Sequence, residues 1–350
     1  PPFYRMETDM INRLVWMETD NTYPYRNLAM EEYMTLHVPQ GTCILYLWQN
    51  RHTVVIGKNQ NCWRECRVNF LEQEDGYLVR RLSGGGAVFH DLGNLNFTFI
   101  VGAGDYDVSR QDVILEAVRS LGIHAEKTGR NDITVDGRKF SGNAFYRTGD
   151  GCYHHGTILI RADKENMSRY LNVSKEKLAS KGVTSVKSRV ANLCEFKPDI
   201  TLEEVKSALV EAFSKVYGQP AVRMEEGELP QPDIDARTEK FASWQWKYGR
   251  KIPFEYEMEK RFPWGNIQIQ FHVDEGMIQD VNVFSDAMDQ EMIGMLAEQL
   301  KGCAYAEEDI CRAVKAVGTD AFQAGEYTGA DEPQSCRIKE DIMTLVRESL

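Results

Sequence analysis

Residues 80–99 read Arg-Arg-Leu-Ser-Gly-Gly-Gly-Ala-Val-Phe-His-Asp-Leu-Gly-Asn-Leu-Asn-Phe-Thr-Phe, and their chemistry is that of an anion site. Gly84, Gly85 and Gly86 have no Cβ, so a ligand can lie directly against backbone. Glycine's access to φ > 0 also lets successive N–H groups converge on negative charge. Arg80 and Arg81 add fixed positive charge and a planar donor fork suited to phosphate or carboxylate. The chain has no Gly-x-x-x-x-Gly-Lys-Ser/Thr loop and no Gly-x-Gly-x-x-Gly after a strand. Neither a P-loop nor a Rossmann dinucleotide site is therefore supported. A second polar group follows. Lys139 stands between a tight turn and Ser141-Gly142, where backbone can approach a ligand, and His154-His155 lies beyond it. A lysine's rotatable donors can follow charge from one atom to another during a reaction.

The elements that must position these residues read as α+β. Phe97, Phe99 and Val101 alternate with smaller or polar residues, as in a half-buried strand, and Ile44, Tyr46 and Trp48 do the same. Thr53 to Ile56 is a further short apolar run. Asn27 to Leu36 suits an amphipathic helix whose apolar residues are interrupted by two glutamates, and Ser109–Leu121 suits another, ended by Gly122. Asp136-Gly137 is a two-residue hairpin turn, and Gly149-Asp150-Gly151 predicts a second hairpin that sets the histidine strand beside the lysine strand. Thr201 and Glu204 form a capping box that opens a helix toward Tyr217. Antiparallel hairpins, rather than repeated βαβ units, dominate the pattern.

At 350 residues the chain exceeds the size at which single cores usually stop growing. Proline, tryptophan and charge change character after Leu229, which predicts a catalytic region at residues 1–246, a linker at 247–256 and a small accessory region at 257–350. In the last of these, Ile267, Ile269, Phe271 and Val273 alternate before Asp274-Glu275-Gly276, and helices are expected near 288–301, 305–317 and 335–348. Residues 1–9 precede Met10 and fit no pattern, as an appended or ragged start would. No apolar run approaches a membrane span and no signal-peptide pattern opens the chain, so the expected location is the cytoplasm. Eight cysteines without Cys-x-x-Cys pairs read as reduced thiols rather than metal ligands or disulfides. A net charge of −12 argues against nucleic acid as the main partner.

Together, the glycine loop, Gly129-Arg130-Asn131-Asp132, Gly137 to Ala144, His154-His155-Gly156-Thr157 and Leu178 to Val190 resemble, in order, the motifs of the two-domain lipoate–protein ligase A family. The resemblance covers residues 11–350. It implies a mixed, largely antiparallel catalytic sheet of the biotin and lipoate ligase type, followed by a small α+β C-terminal domain. It also implies ATP-dependent ligation of free lipoate to a lysine of a carrier domain through lipoyl-AMP. ATP with Mg²⁺ is then the co-substrate. The carriers are lipoyl domains of 2-oxoacid dehydrogenase acyltransferase subunits or the glycine-cleavage H protein, with no membrane involved.

Residue by residue, the resemblance gives Lys139 contacts to both the adenylate and the acyl carbonyl. ATP contacts fall on Arg81, Gly86, Ala87, Val88, Phe89, Asn131, Asp132 and Lys139, with Asp132 toward Mg²⁺. Lipoate contacts fall on Arg81, Ser83, Gly84, Gly85, His90, Lys139, Ser141, Gly142 and His155. His154 reads as a structural histidine, and the charges of Lys181–Arg189 read equally as a docking patch for an acidic carrier or as a plain solvated loop. The competing reading is an octanoyl or lipoyl transferase that works through a cysteine thioester. Cys152, the cysteine nearest these motifs, would then be the nucleophile. The C-terminal region favours the ligase, because transferases resembling this fold generally lack it.

Overall fold

A computed structural model describes residues 11–104, 110–128, 132–172, 189–318 and 334–350. Contacts divide the chain into two compact units. The smaller consists of Ile56–Glu65, Arg81–Ala87 and Tyr248–Leu350, and the larger takes the rest.

The larger unit is built on an eight-stranded mixed sheet. Its strands are β1 (Arg13–Glu18), β2 (Thr42–Trp48), β6 (Asn94–Gly102), β7 (Glu126–Thr128), β8 (Asp132–Val135), β9 (Arg138–Arg147), β10 (Gly151–Leu159) and β11 (Ala221–Arg223). They lie in the order β11-β1-β2-β6-β10-β9-β8-β7. β1 is parallel to β11 and β2, and every other pairing is antiparallel. A three-stranded sheet joins β3 (Thr53–Ile56) to β4 (Tyr77–Arg80) and β5 (Val88–His90).

The local signals act where expected. Asp136 and Gly137 both have positive φ (49° and 71°), the geometry that lets a two-residue turn match strand twist, and β8 and β9 pair across it. Thr201 caps the helix Leu202–Tyr217 reciprocally with Glu204, and Gly218 ends that helix at φ 69°. The helix Arg110–Ser120 stops before Gly122, whose φ is 83°. β9 and β10 pair side by side, with His155 opposite Ala144.

One expectation needs correction. β2 and β6 are buried on both faces rather than half-buried. On one face Leu45, Leu47, Phe97, Phe99 and Val101 join a core completed by the helices Arg110–Ser120 and Leu202–Tyr217. Burying each such side chain stabilises by about 1.5–3 kcal/mol. The alternate residues, Asn96 and Thr98 among them, point to a second face, roofed by the helix Pro24–His37 rather than by solvent.

Glu195 pins the lysine hairpin from outside. Its carboxylate accepts from the Asn192 N–H at 2.8 Å, Arg138 at 2.6 Å and Lys164 at 2.5 Å. Burial would raise its pKa, but these donors and charges bring it from 4.5 down to about 2. A carboxylate held lower in the folded chain than in the unfolded one stabilises fully above about 4.5. That contribution disappears as pH falls through about 2. Glu195→Gln is therefore expected to be less stable than the parent at neutral pH, with the difference shrinking across this acid window. Urea unfolding at several pH values checks this, and a difference independent of pH would contradict it.

The smaller unit carries an antiparallel sheet of β12 (Tyr256–Phe262), β13 (Gly265–Asp274) and β14 (Met277–Ser285). Ile267, Ile269 and Phe271 face Leu296, Ile310, Val314, Ile338 and Ile342 from the helices Gln290–Leu300, Glu307–Ala316 and Gln334–Ser349. Among the described residues, no helix is long and apolar enough to cross a membrane.

Candidate active site

The second face of the large sheet is where polar side chains gather. Register places Trp48 of β2, Thr98 of β6, His155 and Thr157 of β10, and Gly142 of β9 on it. From the roofing helix, Glu31 is 1% exposed and accepts hydrogen bonds from Thr98 Oγ1 (2.7 Å) and His155 Nδ1 (2.9 Å). Trp48 Nε1 in turn donates to Thr98 Oγ1 at 3.1 Å. One turn earlier, Asn27 donates to Asn50 Oδ1 (3.0 Å), and Asn50 donates to His90 Nδ1 (3.2 Å). Positions i and i+4 share a helix face, so Asn27 and Glu31 orient two histidines from one side. A buried carboxylate without such donors would be costly, and here they are in place. Sequence reading missed this network. The available signal was the pair of glutamates inside an otherwise apolar helix, since Glu31 and Glu32 are both buried.

Lys139 reaches the same face through an irregularity. Thr134 pairs with Lys139 and Ile133 with Ser141, so β9 holds one extra residue there. Such a bulge re-aims side chains. Strict alternation would put residues 139 and 142 on opposite faces, yet the Lys139 ammonium lies over Gly142, where a Cβ would come within 2.5 Å of Nζ. Asp132, opposite Gly142, holds Lys139 Nζ at 2.7 Å and Arg189 Nη2 at 3.0 Å. Burial acts to raise the Asp132 pKa, but Lys139 and then Arg189 outweigh it and keep the carboxyl below its usual range.

Lys139, Asp132, Gly142 and His155 therefore share one face. Ser141 does not join them, for it is fully buried opposite the core residue Ile133, and its Oγ has no hydrogen-bond partner among the described residues. Val88, Phe89 and His90 form β5, where Phe89 stacks on Tyr170 with ring centroids 5.5 Å apart. Asn131, and the Leu178–Val190 motif up to residue 188, lie outside the described residues.

His154 is on the core face, stacked on Phe145 at 4.7 Å, with Nε2–H donated to Asn143 Oδ1 at 2.8 Å. Burial, then the charge of Arg110, push its pKa well below the usual range, so it remains neutral. Cys152 occupies that same apolar core, and all eight cysteines are free thiols. Two surface depressions, one along Val210, Ser214 and Pro220 and one along Leu92, Gly93 and Arg161, include none of the expected site residues. No group of three or more His, Cys, Asp and Glu among the described residues is arranged to hold a metal.

The glycine loop belongs to the smaller unit, with Arg81, Ser83, Gly84, Gly85, Gly86 and Ala87. In this structure Arg81 shapes the loop. Its Nε donates to Ser83 Oγ at 3.0 Å, and Nη2 donates to the carbonyls of Gly84 (2.6 Å) and Gly86 (2.8 Å). Gly85 adopts φ 86° and donates its N–H to the Ala287 carbonyl at 3.1 Å. A Cβ on Gly84 would meet the Ala287 oxygen at 2.5 Å. Close backbone packing at Gly84 and the positive φ of Gly85 therefore account for glycine at these positions before any ligand does.

Residues 23–214 match the family described as the lipoyl protein ligase A/B catalytic domain, and residues 251–329 match the bacterial lipoate protein ligase C-terminus. Among solved structures, LipL1 of P. falciparum in complex with lipoate is 29% identical, with a TM-score of 0.80 over 94% of this chain and 99% of that one. The archaeal lipoylation system of Thermoplasma acidophilum, a bi-partite lipoate protein ligase and its E2 lipoyl domain, is 27% identical, with a TM-score of 0.59 over 69% of this chain and 99% of that one. A lipoate-protein ligase A bound with ATP shares the fold at 24% identity and a TM-score of 0.59, over 69% of this chain and 99% of that one.

Proposed function

The chain belongs to the lipoyl protein ligase A/B family and is a ligase, and from that premise we propose that it joins free lipoate to a carrier-domain lysine using ATP, through lipoyl-AMP. The observation that carries this reading is the Lys139 ammonium, seated over bare Gly142 on a buried polar sheet face. In the first step a lipoate carboxylate oxygen attacks the α-phosphorus of ATP and pyrophosphate leaves. In the second, a carrier lysine amine attacks the acyl carbon and AMP leaves. Neither step needs a nucleophile from the enzyme. Both need cationic donors aimed at charge that moves from phosphorus to the acyl oxygen, and a lysine on a flexible stem can serve both positions.

The lipoate bound to LipL1 supports the acyl substrate, and the E2 lipoyl domain of the archaeal system supports a carrier domain. The H protein is proposed beside it. Arg81, Ser83 and residues 84–89 are assigned to nucleotide and acyl contacts, Asn131 to adenine, and His90 and His155 to lipoate, whereas Ser141, on the core side, is not assigned a contact. Residues 1–246 are taken as catalytic, 247–256 as linker and 257–350 as accessory, in a cytoplasmic protein. Magnesium fits as the counter-ion of the nucleotide phosphates. Asp132 does not fit as its ligand in this arrangement, because Lys139 and Arg189 already engage both of its oxygens. No step is assigned to a protein-bound metal.

Pyrophosphate release from ATP, measured with and without lipoate and in the absence of any carrier, tests the proposal. Lipoate-dependent release is expected. Its absence from folded protein supplied with magnesium would turn attention to thioester transfer. Cys152→Ser is expected to leave ligation within about twofold of the parent, because Cys152 lies on the core face, away from His155. A large loss of activity in that variant would revive the thioester route.

A further inference from the structure

We infer that Asp132 is a positioning residue for Lys139: with Gly142 as a floor, its carboxylate holds the ammonium where the reacting carboxylate and phosphate must meet. The inference rests on the ligase reading given above. Three observations carry it. Asp132 Oδ1 is 2.7 Å from Lys139 Nζ. Arg189 takes the other oxygen at 3.0 Å, which fixes the carboxylate's rotation. The bulge at Phe140–Ser141 brings Lys139 onto Gly142's face, where any side chain at 142 would strike Nζ and Cε, at 2.5 and 2.7 Å from its Cβ.

The segment that carries Arg189 is itself stitched to the lysine, since the Ala191 N–H donates to the Lys139 carbonyl at 2.9 Å. The clamp thus fixes Lys139 at its backbone and at its charged tip. A long lysine stem left to itself samples many rotamers, and each is a misplacement of the donor. Displacement by about 1 Å can reduce a rate on the order of 100-fold.

The test compares the full chain with Asp132→Asn, Asp132→Glu and Gly142→Ala. Three quantities are measured: lipoate-dependent pyrophosphate release across ATP, lipoate and magnesium concentrations, thermal melting, and acetic anhydride labelling of Lys139 read by mass spectrometry. Asp132→Asn should lower kcat on the order of 100-fold while KM for ATP and lipoate moves less than about threefold, and Asp132→Glu should recover part of the loss. Gly142→Ala, which removes no charge, should reproduce the kcat loss without a large change in melting. In both Asp132→Asn and Gly142→Ala, Lys139 should be labelled several-fold faster.

A parent-like kcat in Asp132→Asn would overturn the inference. So would a rate loss recovered by added magnesium, which would make Asp132 a metal ligand, or labelling unchanged from the parent. If the parent itself shows no lipoate-dependent release, the ligase reading fails, and the labelling of Lys139 still decides whether Asp132 holds it.

Discussion

Lys139→Ala is expected to eliminate lipoate-dependent pyrophosphate release, by a factor of at least about 10³, in a protein that melts close to the parent. Removing one preorganised donor from a site where charge develops costs about 10²–10³ in rate, and Lys139 is asked to meet charge at two successive positions. The stability cost is expected to be small because the side chain is about a quarter exposed and is not a member of the apolar core cluster. Asp132 keeps Arg189 as its partner, so no carboxylate is left uncompensated. Lys139→Arg should not restore the rate, since a planar fork cannot occupy the seat over Gly142 that a narrow ammonium fits. Turnover of Lys139→Ala within tenfold of the parent, with melting unchanged, would remove the residue from the mechanism.

Gly156→Ala is expected to cost substantial stability. A Cβ at this position would lie 2.5 Å from the Gly142 carbonyl oxygen, 2.6 Å from Phe97 Cζ and 3.0 Å from Asn143 Oδ1. The first of these is backbone of the paired strand and the second is the tip of a fully buried ring, so neither yields easily. Overpacking of this kind costs about 1–3 kcal/mol, and the double clash puts Gly156 at the upper end. For a unit of this size that corresponds to a fall of roughly 6–12 °C in its thermal transition, read by calorimetry. Relief of the clash must push β9 away at Gly142, beneath the Lys139 tip, so pyrophosphate release should fall as well. An unshifted transition would mean that β9 and β10 separate without cost at this point.

Much of the fold was legible where a few neighbouring residues settle the geometry. Asp136-Gly137 forces its own turn because both residues tolerate positive φ, and Thr201 with Glu204 closes a cap within four residues. Gly122 and Gly218 follow helix ends for the same local reason. The motif order from Arg80 to Thr157 was likewise enough to indicate the family, and Lys139 stood out among its residues. The alternation in β2 and β6 was correctly read as two unlike faces, but the meaning of the polar face was not in the strand. Period-two spacing says that Thr98 and Phe97 point apart. It does not say that a helix carrying Glu31 will cover the first and leave solvent to neither.

What the sequence determined by itself was each feature whose energy lies within one turn or one cap, together with the family that its motifs spell. The tertiary structure decided which residues meet. Glu31 reaches His155 across 124 positions, Arg189 reaches Asp132 across 57, and Gly84 and Gly85 pack on the backbone near Ala287. The bulge that turns Lys139 onto Gly142's face exists only because β8 and β9 pair in one particular register. The physical reason is common to all of these. Caps and turns are fixed by torsions and hydrogen bonds of adjacent residues, whereas face, register and burial depend on surfaces contributed by distant segments. Such contacts form only once the chain has closed those loops.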